Sequence, residues 1–488
     1  MTNTMRTRLP ALLTLPILLT LSVQSPVINA EKLILYMDTI TKQVYAEPGE
    51  NRIKLGVFQQ VEEEVTTAQP KSNTLATRHV ESHTTKNAEQ RTTAAQPEQT
   101  AKVTESSTEK SVAEKKWYDR VGVKGYTQFR YSRSLWGDKN DISYWQDRSV
   151  DPDNSFLIKK ARLELFGDVT DYLSVKFQTD LVSTPSGSTS THFLQLKDAY
   201  ADIFFDKKKE FWVRVGQSKV PYSFEKLQSS AQRLALDESD VLSSCCGRDI
   251  GAFFYWTPGY IHDRFKAIKA QNLKGASDYG VVALGVYSGQ GANHLEMNDS
   301  VHLVGRFTYP FQFENGQFFE AGVQAIHGRY VPSVGLNASG FTPTLDAPKK
   351  GFKDQHVGVH AILYPQPFGL QAEWNWARGP RLNESQTILE DTFFNGGYVQ
   401  AMYKVDKFFW GTLFPFVRWQ YFDGALMLER NTPKDRVKDL EFGLEWQILP
   451  EIEITAAYHM MNRTNTKSAS YERFKTDVLR FQLQWSYF

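Results

Sequence analysis

From Trp117 onward, apolar and polar side chains alternate in short runs, each ended by a turn or a polar loop. Leu173, Val175, Phe177, Thr179 and Leu181 share one parity, and Ser174, Lys176, Gln178 and Asp180 the other. Ala199, Ala201, Ile203 and Phe205 likewise oppose Asp198, Tyr200 and Asp202, while Leu440, Phe442, Leu444, Trp446 and Ile448 oppose Glu441, Gly443, Glu445 and Gln447. Successive side chains of a strand point to opposite faces, so a period of two separates an apolar face from a polar one. The pattern predicts sixteen strands, at 118–134, 156–168, 171–182, 193–206, 211–219, 249–258, 278–290, 301–313, 317–330, 354–364, 368–378, 393–405, 411–422, 436–448, 451–463 and 474–488.

Removing the first 116 residues from the 488 leaves 372. Each strand and its connection then has about 23 residues, ample for the roughly 9–11 that a membrane strand requires. An even count returns both ends to one side, and the connections sort by length. Short turns fall at 167–170, 206–210, 314–316, 365–367, 405–407 and 449–450; long stretches fall at 135–155, 220–248, 331–353, 379–392 and 423–435. That asymmetry belongs to outer-membrane barrels. The connection 259–277 is too long for a simple turn and fits the alternation poorly. A soluble sandwich would hide its apolar faces between two sheets, whereas lipid lets the outside of a closed barrel remain apolar. The expected fold is therefore all-β: a sixteen-stranded antiparallel transmembrane β-barrel over 117–488, with a short N-terminal extension and a flexible tether.

Ahead of the barrel the composition changes three times. Arg6 and Arg8 precede the apolar run Leu9–Leu21, and Ala30 supplies a small residue for cleavage, which makes 1–30 a secretory signal peptide. Residues 31–58 hold two extended candidates, 33–45 and 52–58, around Pro48-Gly49, and read as a short periplasmic β-like segment. Residues 59–116 contain no Phe, Tyr or Trp and no apolar stripe, so they read as a disordered linker.

The chain carries 32 Phe, 22 Tyr and 11 Trp, yet its mean hydropathy is only -0.43, and beyond the leader no run approaches the 18 apolar residues of a membrane helix. From 117 onward there are 42 basic and 42 acidic residues, the chain totals of 56 and 55 less the 14 and 13 that precede. Such balance offers no broad grip on nucleic acid. The two cysteines, Cys245 and Cys246, are adjacent; their Cα atoms sit about 3.8 Å apart, closer than bridged cysteines usually stand, so they read as packing residues more readily than as a disulfide. The ten histidines form no metal helix, and no nucleotide loop or nucleophile elbow is present. No enzyme activity, cofactor or metal is expected.

Several segments, in order, carry a family resemblance: GYTQFRY at 125–131, FLIKKARLELFGDV at 156–169, LSVKFQTD at 173–180, LKDAYADI at 196–203, VRVGQSKVPYSFE at 213–225, GRDIG at 247–251 and GVYSG at 285–289. Together they resemble the phosphate-selective porin O and P family. The resemblance implies a homotrimer of sixteen-stranded barrels in the bacterial outer membrane, in contact with the lipid bilayer and passing small anions or hydrophilic solutes. It also implies that the loop 220–248, with Lys226 and Arg233, folds inward as a constriction. Where the family has an arginine-rich strand this chain has Lys159-Lys160-Ala161-Arg162-Leu163. Parity with lipid-like Ala161, Leu163 and Leu165 turns Lys160 and Arg162 inward; the same reasoning turns Lys176 inward and aligns Arg130 with Lys124. These seven, Lys124, Arg130, Lys160, Arg162, Lys176, Lys226 and Arg233, are the candidate pore-lining or constriction residues. Lysine in place of arginine removes the rigid fork that matches phosphate, so a modest anion preference is expected instead of tight phosphate selection. The alternative role is structural, with the 31–58 piece contacting the cell wall or another envelope component.

Overall fold

The computed structural model describes residues 33–38, 44–45, 49, 52–58, 120–140, 142, 144–152, 156–183, 193–337, 339–346, 350–465 and 470–487. The expected leader 1–30, the whole of the expected linker 59–116, and Phe488 lie outside them. The chain divides into two units, at Ser107 and Thr108. In the first, β1 (Leu33–Asp38), β2 (Val44–Tyr45) and β3 (Arg52–Phe58) form an antiparallel sheet in the order β2-β1-β3.

The second unit is a closed barrel. Its sixteen main strands are β4 (Val121–Gly137), β5 (Phe156–Thr170), β6 (Leu173–Ser183), β7 (Phe193–Phe204), β8 (Phe211–Lys219), β9 (Arg248–Trp256), β10 (Val282–Tyr287), β11 (His302–Gln312), β12 (Phe318–Tyr330), β14 (Phe352–Leu363), β15 (Phe368–Leu382), β16 (Ile388–Tyr403), β18 (Gly411–Ala425), β19 (Lys434–Leu449), β20 (Ile452–Asn465) and β21 (Glu472–Tyr487). Two short pieces, β13 (Thr344–Leu345) and β17 (Val405–Phe408), sit in connections. The main strands pair antiparallel with their neighbours, and β21 closes on β4 with Tyr487 opposite Gly125. Closure leaves no sheet edge, the condition for strands to cross lipid.

Every expected strand is present in its expected place, because a period of two held over such lengths has no competing helical solution. Outward residues such as Val215, Leu284, Phe307, Val357, Leu444 and Phe481 are exposed, while their neighbours Arg214, Arg306, His356, Glu445 and Arg480 are buried inside. In water an apolar belt of this extent would drive association; in a bilayer it is the stable arrangement. One strand is much shorter than expected: β10, read as 278–290, spans six residues. Positive φ at Ser277, Gly280 and Gly289 bends the chain off the sheet at both of its ends.

The poorly fitting connection contains a helix, α2 (Gly259–Ala270). Ile261, Phe265 and Ile268, spaced four and three apart, make one apolar face, which is buried. Positive φ at Asn272 ends the run. That face packs on Phe224, Leu227 and Leu234 of the 220–247 loop and on Phe318, Ile362 and Phe416 of the wall. Burying a side chain of this size contributes about 1.5–3 kcal/mol. Thus an apolar core fills part of a lumen that alternation alone presents as polar.

Candidate functional site

The 220–247 loop leaves β8 and crosses the barrel interior. The Tyr222 hydroxyl donates to Asn375 Oδ1 at 2.8 Å, and Ser223 Oγ donates to Glu373 at 3.0 Å, both on β15. Close approach of Tyr222 requires Gly358 on the wall: a Cβ there would stand 2.9 Å from its hydroxyl. Ser223 also caps α1 (Phe224–Leu227), its oxygen accepting from the Lys226 amide. Glu225 then accepts two bonds from Arg418 of β18, at 2.6 and 3.0 Å. Asp237 is held between Arg130 of β4 and Arg480 of β21. Asp240 accepts two bonds from Arg463 of β20, at 2.9 and 2.8 Å. Three loop carboxylates therefore meet four wall arginines, mostly by the charge-assisted bonds that fix geometry best.

The loop 138–155 joins the same network through Asp147, whose carboxylate meets both Arg130 and Arg480. Burial would raise the Asp147 carboxyl, but the guanidiniums of Arg130 and Arg480 hold it down at about 2. Burial opposes ionisation of Asp237 too, and the same two arginines keep it well below the usual carboxylate range. A depressed carboxyl contributes its full stabilisation above its unfolded value, near pH 4, and loses it as pH falls through the folded value. Conductance is therefore expected to stay level from about pH 7 to about pH 5 and to rise, with added noise, below about pH 3 as the loops loosen. A pH titration of single-channel current checks this; a transition centred near neutrality would contradict it.

The seven candidate residues occupy different settings. Lys124 pairs with Glu164 at 2.8 Å, and Lys176 with the same carboxylate at 2.8 Å. Arg162 donates to Asp180 at 3.0 Å and to the Tyr126 hydroxyl at 3.1 Å. Lys226 and Arg233 both reach Glu238, each at 2.7 Å. Burial would raise the Glu238 carboxyl, but Lys226 and then Arg233 hold it well below its ordinary range. Arg130 is 1% exposed and is enclosed by Asp147, Asp237 and Gln482, so it pins loops to the wall. Lys160 has no carboxylate within ion-pair distance among the described residues, and the basic groups Arg162, Arg233, Arg130 and Lys159 act on it together.

Beside the apolar core lies a cavity of about 350 Å³. Its charged lining is six basic side chains, Lys124, Arg162, Lys176, Lys219, Arg248 and Lys269, against two acidic ones, Glu164 and Asp198. A second cavity, of about 240 Å³, opens among the long loops, and its charged lining is balanced, Lys197 and Arg248 against Asp249 and Asp354. Arg248 lines both, and donates to Asp198 at 2.6 Å. Among the described residues, Lys219 donates only to the Leu227 and Gln228 carbonyls, and Lys197 only to Gln195.

Sequence reasoning did not single out Lys197, Lys219 or Arg248. Lys197 is the extra residue of a bulge between β6 and β7, where Gln178 opposes Asp198 and Thr179 opposes Leu196. Lys159 is skipped in the same way between β4 and β5, and its ammonium reaches the Gln146 carbonyl. On β8 the phase slips at Gly216, φ +124°, after which Gln217 and Ser218 are both buried. Arg248 shares parity with lipid-facing Ile250 and turns inward only because it begins its strand.

Contrary to expectation, Cys245 and Cys246 are joined in a disulfide, just ahead of Gly247 and Arg248. Their sulfurs and a ring nitrogen of His356 lie within 4.8 Å of one another, but sulfurs bonded together offer no thiolate to a metal.

A lipid-facing barrel with a loop strapped across a charged interior is the architecture of an outer-membrane pore. The chain belongs to the family described as phosphate-selective porin O and P, which it matches over residues 129–487. It is an outer-membrane porin of that family. Its fold is similar to the outer-membrane channel DcaP of Acinetobacter baumannii, at 12% identity and TM-score 0.46, over 75% of this chain and 97% of that one. It is also similar to OprB of Pseudomonas putida, at 10% identity and TM-score 0.48, over 75% and 94%. OmpF of Salmonella typhi, solved with daunomycin, has 10% identity and TM-score 0.46, over 75% and 97%. No curated protein matches the chain.

Proposed function

We propose that the protein allows passive diffusion of small hydrophilic solutes with a modest preference for anions, along a path through the two cavities that share Arg248. The carrying observation is the local charge of the larger cavity, six basic side chains against two acidic, in a barrel whose totals balance. A narrow passage with low-dielectric walls focuses such an excess, and electroneutrality elsewhere does not cancel it. The carboxylates partnering Lys124, Arg162, Lys176 and Arg248 temper the field and argue against a dedicated phosphate clamp.

Replacing Lys160 and Arg162 together by glutamine removes two positive charges and keeps polar chains in the lumen. The zero-current potential under a salt gradient is expected to shift toward less anion preference while the barrel stays folded. Retention of the wild-type potential by the folded double variant would remove this pair from the selective path.

In this reading residues 1–30 direct export, 31–58 lie in the periplasm on the 59–116 tether, and the barrels associate as homotrimers. The separate three-stranded sheet of the first unit supports a second role, contact with the cell wall or another envelope component. Co-sedimentation of the full-length protein with purified cell wall, lost on deletion of 31–58, would support that contact; undiminished sedimentation of the deletion variant would sink it.

A further inference from the structure

The larger cavity has two unlike walls. Along one run the charged groups of β4–β9, among them Arg162, Lys219 and Arg248; the other is contributed by the inward loop and the α2 segment, with Leu227, Phe265, Ile268 and Ala276. Those four belong to the buried apolar core, so hydrocarbon makes up part of that side, interspersed with Lys269 of α2 and the polar Ser229, Gln232 and Ser277. An inorganic anion gains nothing from the hydrocarbon part of that wall and loses hydration against it. An anion with an apolar body gains on both sides: its charged end meets the basic wall, and its hydrocarbon leaves water against Phe265 and Ile268.

We infer that the preferred permeants are amphipathic organic anions, small carboxylates bearing a ring or a short alkyl chain, and that α2 is the element that selects them. The inference rests on the anion-diffusion reading above and adds the substrate class to it. It also gives the buried helix a role that wall strands do not supply. Arg162 donates to Asp180 yet still turns Nη1 toward the Tyr126 and Ser230 hydroxyls, while Lys219 has only backbone acceptors among the described residues, so a carboxylate finds donors there without breaking an ion pair. Ring-sized contact matters energetically: roughly 40 Å² of apolar surface removed from water is enough for about a fivefold gain in affinity.

Single-channel current through the full chain in potassium chloride tests this, with benzoate, acetate or inorganic phosphate added at matched ionic strength. Benzoate is expected to reduce the current at a concentration at least about fivefold lower than acetate or phosphate. Neutral benzyl alcohol is expected to give no comparable block, since it engages only one wall. In Phe265→Ser the benzoate advantage over acetate is expected to disappear; its survival would remove α2 from selection. Should that variant fail to fold, the wild-type series decides alone: equal block by benzoate and acetate, or stronger block by phosphate, would overturn the inference while leaving an anion pore intact. A wild type without anion preference would instead overturn the reading beneath it.

Discussion

Replacing Glu225 by alanine is expected to release the inward loop and raise single-channel conductance. Glu225 is 1% exposed and is the sole carboxylate within ion-pair distance of Arg418 among the described residues. It also accepts the Ser239 amide at 2.9 Å, so it ties both halves of the loop to the β18 wall. Removing one partner of a buried pair costs about 3–5 kcal/mol, since the remaining charge is left desolvated. The Arg418 guanidinium, stacked 4.1 Å from the Tyr398 ring centre, would be stranded. The cheapest relief is movement of the loop, which admits water to Arg418 and widens the passage. Conductance and proteolytic cleavage within 220–247 should rise together. The double variant Glu225→Leu with Arg418→Met removes both charges and should recover part of the loss; an unchanged conductance in Glu225→Ala would show that the remaining pins hold the loop alone.

The second large effect is expected from reversing three inward lysines, Lys160, Lys197 and Lys219, that have no carboxylate within ion-pair distance among the described residues. Changing Lys160, Lys197 and Lys219 to glutamate strands no acid, because none of the three has an acidic group within ion-pair distance among the described residues. One unit charge about 6 Å from a passing ion, at an effective dielectric of about 20, changes its energy by about 3 kcal/mol before salt screening. Lys219 and Lys197 line the two cavities and Lys160 sits on β5 two residues before the cavity-lining Arg162, so three reversals should turn a modest anion preference into cation preference, read as a change in sign of the zero-current potential at low salt. Persistence of the anion-selective sign in the folded triple variant would place the path elsewhere.

The strands were legible because lipid and lumen impose opposite demands on alternate residues, and neither Leu444 nor Glu445 can trade places without cost. The inward loop was less legible: Asp237 and Asp240 each lie in a salt bridge to an arginine distant in sequence. Ion pairs between residues more than a hundred positions apart leave no local pattern. The α2 helix did leave one, the spacing of Ile261, Phe265 and Ile268, but three apolar positions over eight residues stand out little among flanking alternating strands. Some inward lysines were hidden for a sharper reason. Parity counting assumes an unbroken ladder, and Lys159 and Lys197 sit at bulges while Lys219 follows a phase slip at Gly216. Each insertion turns inward a residue that a strict period of two assigns to lipid. Chemistry thus concentrates where the pattern breaks.

The most direct test of the account is the zero-current potential of the wild-type protein in a planar bilayer under a potassium chloride gradient. It reports whether ions pass and which sign passes more readily in one recording. Stable single-channel steps with a potential of the sign set by chloride are expected, growing as the ionic strength is lowered and screening weakens. A cation-selective potential, or insertion into the bilayer without conductance, would contradict the charge assignment of the cavity and the passage built on it.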